Sequence, residues 1–368
     1  MKKIMALVLA AAMAFSLCAC GKSGENTSSN NSESTIQVSV KGGALTMLNM
    51  SEEENENMAN AHLIADRQLA KEGYANLGED VPAEDIDKVF DIKFYDSLDS
   101  MVMALQAGDI GMFSIYNSTA KYLCANNDKL EISGNPDKLI EKFEGVSVDD
   151  IEDKDAFGFF AYNLLESHSF SFMMMEDNTD LRDEFNKAID EMKKDGTLDK
   201  LVKEQIDDRI SGGEIASIKM PEISDADTIK VAVTGSLPPM DFVAADGTPA
   251  GFNTAVLAEI SSRIGKNIEL VVVDSVGRAA ALSSGNVDVV FWTRTNDIVN
   301  EYAEMDEADK KEHHDSMMGK LDDDQKEAVN KIESLVDVEK LGSVDMPEGT
   351  IITESYYSDI LVGVVKKH

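Results

Sequence analysis

Residues Val271 to Trp292 read VVVDSVGRAAALSSGNVDVVFW. An apolar run ends at Asp274-Ser275, a small-residue segment with helical character runs to Ala281-Leu282, the chain turns on Gly285, and a second apolar run, VDVVFW, follows. Unbroken apolar runs suit strands buried on both faces, and a helix between two of them is the crossover that parallel pairing needs. No nucleophile or cluster of metal ligands lies along this unit, so it predicts scaffold around a space.

The same progression occurs earlier in KFYDSLDSMVMALQAGDIGMFSIY, Lys93 to Tyr116, with Asp96-Ser97, Ala104-Leu105 and Gly108 in the matching places. One recurrence this far apart is not a solenoid, whose units return about every 20 to 50 residues. It predicts an α/β fold of two lobes, each a mostly parallel sheet flanked by helices, with a cleft between them.

In the first lobe, IQVSV (Ile36 to Val40) alternates as a strand that ends at Lys41, and GGALT opens a polar helical stretch leading to FDIKFYDS. In the second, IKVAVTG leads to GFNTAVLAEISSRIG, where Phe252, Val256, Leu257, Ile260 and Ile264 recur at helical spacing and Gly265 supplies the stop. The clearest helix lies in LRDEFNKAIDEMKKDG, with Leu181, Phe185, Ile189 and Met192 on one face and Gly196 as its break. Glycine, proline and acidic residues gather in SGGEIASIKMPEISDAD, which predicts a linker at 211–227 between a lobe at 36–210 and a lobe at 228–368.

With 368 residues, 43% of them hydrophobic, the chain is long enough for two domains with substantial cores. Its formal charge of -35 repels phosphate backbones, which argues against nucleic acid as a partner. The N-terminus, MKKIMALVLAAAMAFSLCAC, has two lysines before a short apolar run and is laid out as a secretory signal over residues 1–19. Its end, LCAC, resembles the lipobox of bacterial lipoproteins, and that resemblance implies a lipidated Cys20 holding the protein on the extracytoplasmic face of the cell membrane. The polar stretch 20–35 then reads as a tether. Only Cys124 is left, in an apolar context that suits a small core residue, and it has no partner for an intramolecular disulfide.

The segment TIKVAVTGSLPPMDFVAADGTPAGFNTAVLAEISSRIGKNIELVVVDSVGRAAALSSGNVDVVF is similar to the first lobe of bacterial extracellular solute-binding proteins of the polar amino-acid class, which have the type II periplasmic-binding-protein fold. Pro238-Pro239, Phe242, Asp246-Gly247, Gly251-Phe252 and Gly285 to Asp288 carry the resemblance, and MPEGTIITESYYSDILVGVVKK resembles a later segment that crosses between lobes. The first half resembles the family's second lobe and C-terminal helices, so the lobes stand in exchanged order, as a circular permutation would place them; a diverged duplication is the other way to reach that order.

The resemblance implies capture of a small polar solute, an amino acid or a derivative, for the membrane subunits of an ABC importer. It needs no cofactor and implies binding rather than catalysis; no nucleophile elbow, phosphate loop or zinc-ligand spacing is present. A sensing or protein-docking module on the same fold is the alternative. Arg294 is the implied clamp for a ligand carboxylate, although WTRTND places Thr293 and Arg294 directly after the strand, earlier than the family's Thr-x-x-Arg. Phe242 and Trp292 are candidate pocket walls. Gly43 and Thr46, before an expected helix, are candidates for a backbone anion site. Tyr116 and Asn117 stand where the family carries an acidic residue for the ligand amine.

Residues 305–345 have no counterpart in the family pattern and form an acidic insertion with a helical stripe at Leu321, Val329, Ile332 and Val336. His313 and His314 are adjacent and cannot share a helix face, which makes them a poor metal pair.

Overall fold

The computed structural model describes residues 36–45, 52–73, 86–95, 97–213, 217–273, 277–343 and 346–367. Cys20, the signal and the tether lie outside them, as do Thr46, Asp96 and Asp274-Ser275.

The first lobe runs through β1 (Ile36–Leu45), α1 (Glu52–Lys71), β2 (Ile86–Tyr95), α2 (Leu98–Ala107), β3 (Met112–Tyr116), α3 (Asn117–Asn126), β4 (Leu130–Ile132) and α4 (Pro136–Phe143). After α5 (Ala156–Ala161) and a π-helical turn at Tyr162–Glu166 the chain enters β5 (Ser167–Met175), which crosses into the second lobe. There follow α6 (Thr179–Asp195), α7 (Thr197–Val202), β6 (Thr228–Val233), the short β7 (Ser236–Leu237), β8 (Asp241–Val243) and β9 (Pro249–Ala250), then α8 (Phe252–Ile264), β10 (Asn267–Val272), α9 (Arg278–Ser283) and β11 (Val289–Thr295). The helices α10 (Asp297–Glu304), α11 (Glu307–Lys320) and α12 (Asp323–Leu335) precede β12 (Thr350–Ile352) and β13 (Tyr357–Lys366), which crosses back.

Each lobe has a sheet of five strands in the same arrangement. In one, β1 lies between β2 and β3, all parallel, while β13 runs antiparallel to β3 and β4 flanks it. In the other, β6 lies between β10 and β11, all parallel, while β5 runs antiparallel to β11 and β12 flanks it. The crossing strands β5 and β13 pair with each other, Tyr357 opposite Phe170 and Ile360 opposite Ser167, so the two sheets join along one seam. Two adjacent crossing strands are the kind of connection about which lobes rotate as rigid bodies.

Local chemistry explains these elements. All seven residues of β11 are buried, as expected of a central strand covered on both faces. The Ser97 side chain accepts from the Ser100 N–H to cap α2, and Gly108 ends that helix at φ 85°, the left-handed conformation that favours glycine. Gly285 turns the second unit at φ 71°. In α6, Phe185, Ile189 and Met192 are buried, while Leu181 is half-buried. This helix packs on α8, where the Arg263 guanidinium donates to Asp195 at 2.8 Å and Thr197 at 3.0 Å.

Two expectations are corrected. The lobes do not divide at 211–227: β5 joins the sheet of β6, β10 and β11, α6 packs on α8, and β13 returns to the sheet of β1, β2 and β3. The first strand does not end at Lys41: β1 continues through Leu45, with Gly43 paired to Lys93 and Phe113, and the helix begins only at Glu52. Gly43 is therefore a strand residue rather than the start of a helix. A Cβ there would lie 2.8 Å from Ile110 Cδ1 and 3.0 Å from the Tyr95 ring, so the missing side chain serves close packing.

The insertion folds as α11 and α12. It buries Met317, Leu321, Val329, Ile332 and Val336, and Asp322 opens α12 with a capping box through Gln325. Although it belongs in sequence to the second lobe, it rests on the first: α12 packs along α1, Gln325 donates to Glu72 at 2.9 Å, and Lys320 donates to the Ile151 carbonyl at 2.8 Å. Among the described residues no helix is long and apolar enough to cross a membrane.

Candidate functional site

The two lobes meet where β3 and β11 approach the crossing strands. Opposite Met173 and Ser171 of β5 stand Val290 and Thr293 of β11, so β11 carries one extra residue in a bulge. Within it Trp292 has φ 56°, a strained conformation for a bulky side chain. Arg278, buried on α9, donates to the carbonyls of Phe291 and Trp292 at 3.3 Å each and holds the bulge. The Trp292 ring stacks on Phe170 with centroids 3.5 Å apart, and Tyr116 stands edge-on to both, 4.7 Å from Phe170 and 6.0 Å from Trp292. Tyr357 of β13 lies 6.0 Å from Trp292. One aromatic frame is thus built from both lobes and both crossing strands.

Behind the frame sits a charged cluster. Arg294 is buried at 5% exposure and faces Phe170 across the β11–β5 ladder. His62, from α1, lies 3.2 Å from the Glu166 carboxylate. Burial alone would lower the His62 pKa, but Glu166 outweighs it and the net shift is upward, with Arg294 opposing. His168 is held well below the usual imidazole range, first by burial and then by the Arg294 charge. The junction therefore gathers one guanidinium, a carboxylate that holds His62, an imidazole inclined to hold a proton and an imidazole held neutral.

Several polar atoms here are buried without hydrogen-bond partners: Asn117 Oδ1 and Thr119 Oγ1 from the start of α3, Thr293 Oγ1 from β11, and His168 Nδ1 from β5. Each such group costs about 1–3 kcal/mol when left unpaired. The start of α3 is otherwise occupied, because Asp359 of β13 accepts from the Ser118 N–H at 3.0 Å and Ser118 Oγ shares a 2.6 Å hydrogen bond with Tyr357 Oη. Burial pushes Asp359 up to about 6, against the hydrogen bonds from Ser118. Asp241 is likewise pushed up to about 6 by burial; it accepts from the Gly235 N–H at 2.6 Å and from Thr234, closing the turn after β6.

Of the residues singled out from sequence, Tyr116 and Trp292 share the aromatic frame, Arg294 lies beside it on β11, Thr293 is buried on the same strand, and Asn117 opens α3 directly after Tyr116. Phe242 does not join them: half-buried on β8, it pairs with Ser236 and Ala250 in a separate three-stranded sheet. Gly43 lies within β1, and Thr46 is outside the described residues. His62, Glu166, His168, Arg278 and Asp359 were missed. The signal that could have found His62 and His168 is scarcity, since the chain has 5 histidines. Cys124 is half-buried, and burial pushes its thiol up to about 11, consistent with an inert packing residue. Among the described residues no group of three or more His, Cys, Asp or Glu is placed to hold a metal ion.

What the architecture defines is a two-lobed α/β protein with a polar, aromatic-framed junction where the lobes join. Residues 229–297 match the profile of the bacterial extracellular solute-binding proteins, family 3, which covers β6 through the start of α10. No curated protein matches the chain. Solved structures include the zinc-bound ligand-binding component of an ABC-type import system from Staphylococcus aureus, at 9% identity and a TM-score of 0.35, covering 89% of this chain and 66% of that one. NikA from Staphylococcus aureus in complex with Ni(L-His)2 gives 12% identity and a TM-score of 0.33, over 76% of this chain and 57% of that one. The lipoprotein Tp32 from Treponema pallidum gives 11% and 0.31, over 89% and 84%. The chain thus spans less than two thirds of the first two structures' own length, and scores of this size carry no functional weight.

Proposed function

We propose that this chain is an extracytoplasmic solute-binding protein that closes its lobes on a small polar solute and presents it to the membrane subunits of an ABC importer. The observation that carries this is buried Arg294, which faces Phe170 across the β11–β5 ladder, beside the aromatic frame that Tyr116 of one lobe and Trp292 of the other complete. A solute bearing a carboxylate, such as an amino acid or a derivative, would accept from Arg294. Tyr116 and Trp292 would flank it, and rotation about β5 and β13 would open and close the site. The partial profile match over 229–297 supports the same reading.

The test is thermal unfolding of the chain against a panel of amino acids, their derivatives and other small polar solutes. A ligand at a hundred times its dissociation constant adds about 2.7 kcal/mol to stability. A selective rise in midpoint that is absent in Arg294→Ala supports capture at this site. A cooperatively folded protein that responds to nothing in a broad panel overturns it.

Two further readings accompany this one. Lipidation at Cys20 would anchor the protein to the outer face of the cell membrane; partition into detergent that persists in Cys20→Ser would exclude it. The lobe order we read as a circular permutation. Gly42 of β1 and Val365 of β13 both lie beside Met112, the first residue of β3, so the first and last strands of the described chain flank one strand. A chain rejoined there and reopened within 211–227 should fold and bind alike, and failure to fold would favour a diverged duplication.

A further inference from the structure

Where the insertion leans on the first lobe it encloses a cavity of about 390 Å³, separate from the Arg294 junction. Its floor is apolar and buried: Phe159 of α5, Leu164 of the π turn, Val299 of α10, Met317 of α11, and Val329 with Val336 from α12 and its end. Its polar lining is Asn163, Tyr302, His313, His314, Glu333 and Asp337. His314 Nε2 lies 3.3 Å from Glu333. Lys310 Nζ stands 6.0 Å from the centre of the Tyr302 ring, so that ring already carries an ammonium of the chain's own. A closed core would fill such a volume with side chains, whereas ligand sites of about 300–1,000 Å³ combine apolar walls with a few polar groups.

We propose that this cavity is a second binding site, which takes a small amphipathic organic cation: an alkyl or aryl body against the Phe159, Leu164 and Val329 floor, with its ammonium beside the Glu333 and Asp337 carboxylates. The proposal does not depend on what occupies the Arg294 junction. It also gives the two histidines a place, since both line the cavity, His313 against the Tyr302 ring at 5.9 Å and His314 against Glu333, rather than forming a metal pair.

The test is titration calorimetry of the full chain with octyltrimethylammonium, 1-octanol and octyl sulfate, each below its micelle concentration. The cation should bind at least tenfold more tightly than the alcohol, and the sulfate weakest. Met318 lines the cavity half-exposed, so Met318→Trp should fill its mouth without altering net charge and weaken the cation at least tenfold. Glu333→Gln with Asp337→Asn should remove most of the preference for cation over alcohol while leaving alcohol binding within twofold, and this pair serves if the tryptophan variant fails to fold. Cation binding that survives Met318→Trp in a folded protein would be non-specific attraction to an acidic surface and would overturn the site. So would octyl sulfate binding as tightly as the cation.

Discussion

The third strands of the two lobes, β3 and β11, hold the same place in their sheets and end differently. From β3 the chain passes directly from Tyr116 into α3, and the amides at the start of that helix meet a carboxylate supplied from within, Asp359 of β13. In β11 a bulge with Trp292 at φ 56° comes before the strand's end, and the residue that emerges is a buried guanidinium. One lobe has filled its helix-end anion site with its own acid; the other holds a cation whose charge reaches His168 and His62. The family's pattern would lead one to seek an acidic partner for a ligand amine after β3. The protein instead fills that position from within, and on the proposed reading anion recognition falls to β11.

The largest effect should come from the β11 side. Arg294→Ala removes a buried hydrogen-bonding charge, a change that costs about 2–5 kcal/mol in comparable interfaces, or roughly thirtyfold to several thousandfold in solute affinity. Arg294→Lys should not restore binding, because a point-charge ammonium lacks the planar fork that grips a carboxylate. Calorimetry with the solute found by thermal screening decides it. Full binding by the lysine variant would reduce the role of Arg294 to charge alone.

The β3 side predicts a stability effect instead. Asp359 has its folded pKa raised from 3.8 to about 6 by burial. In the interval between, the folded state binds more protons than the unfolded one, so the stability this group contributes is full below about 4 and declines as pH rises through about 6. A shift of this size corresponds to the order of 2–3 kcal/mol. Asp359→Asn keeps an oxygen to accept from Ser118 and cannot ionise. Urea unfolding at pH 4.5 and 7.5 should therefore show a smaller fall in stability for the variant than for the wild type. An equal fall in both proteins would mean that Asp359 ionises as it does in the unfolded chain.

The aromatic frame comes next in size. Trp292→Phe retains a ring but reduces its face, and ring pairs contribute about 0.5–1.5 kcal/mol beyond area. Solute affinity should drop about fivefold. Since Trp292 is the single tryptophan, wild-type emission reports directly on the junction and should change when solute binds.

How far these features could be read in the chain follows from the range over which each acts. The α/β units were legible because strand, small-residue helix and glycine turn are local patterns, and Ser97, Gly108 and Gly285 act within a few residues. Arg294 and Trp292 stood out for residue type at the end of an apolar run. The bulge that aims Trp292 was not legible, since it depends on β5, more than a hundred residues away in sequence. The same holds for His62 and Glu166, whose meeting links α1 to a π turn, and for Asp359, which caps a helix that lies far earlier in the chain. Gly43 was misread for a related reason: a double glycine signals a turn locally, and only the neighbouring Ile110 and Tyr95 show that it serves close packing within a strand. Phe242 was drawn into the pocket by type and resemblance alone.

Phe242 therefore offers the smallest and most discriminating effect. It lies on β8, paired to Ser236 and Ala250, next to the turn that Asp241 closes, and it is absent from the ring contacts around Trp292. Phe242→Ala should leave solute affinity within twofold and, because the side chain is only half-buried, cost less stability than the roughly 3–5 kcal/mol of a fully buried phenylalanine. A tenfold loss of affinity with unchanged stability would bring the β7–β9 sheet into the binding site and extend the recognition surface well beyond β11. The asymmetry between the lobes would then be greater still, with nearly every contact to the solute drawn from the second.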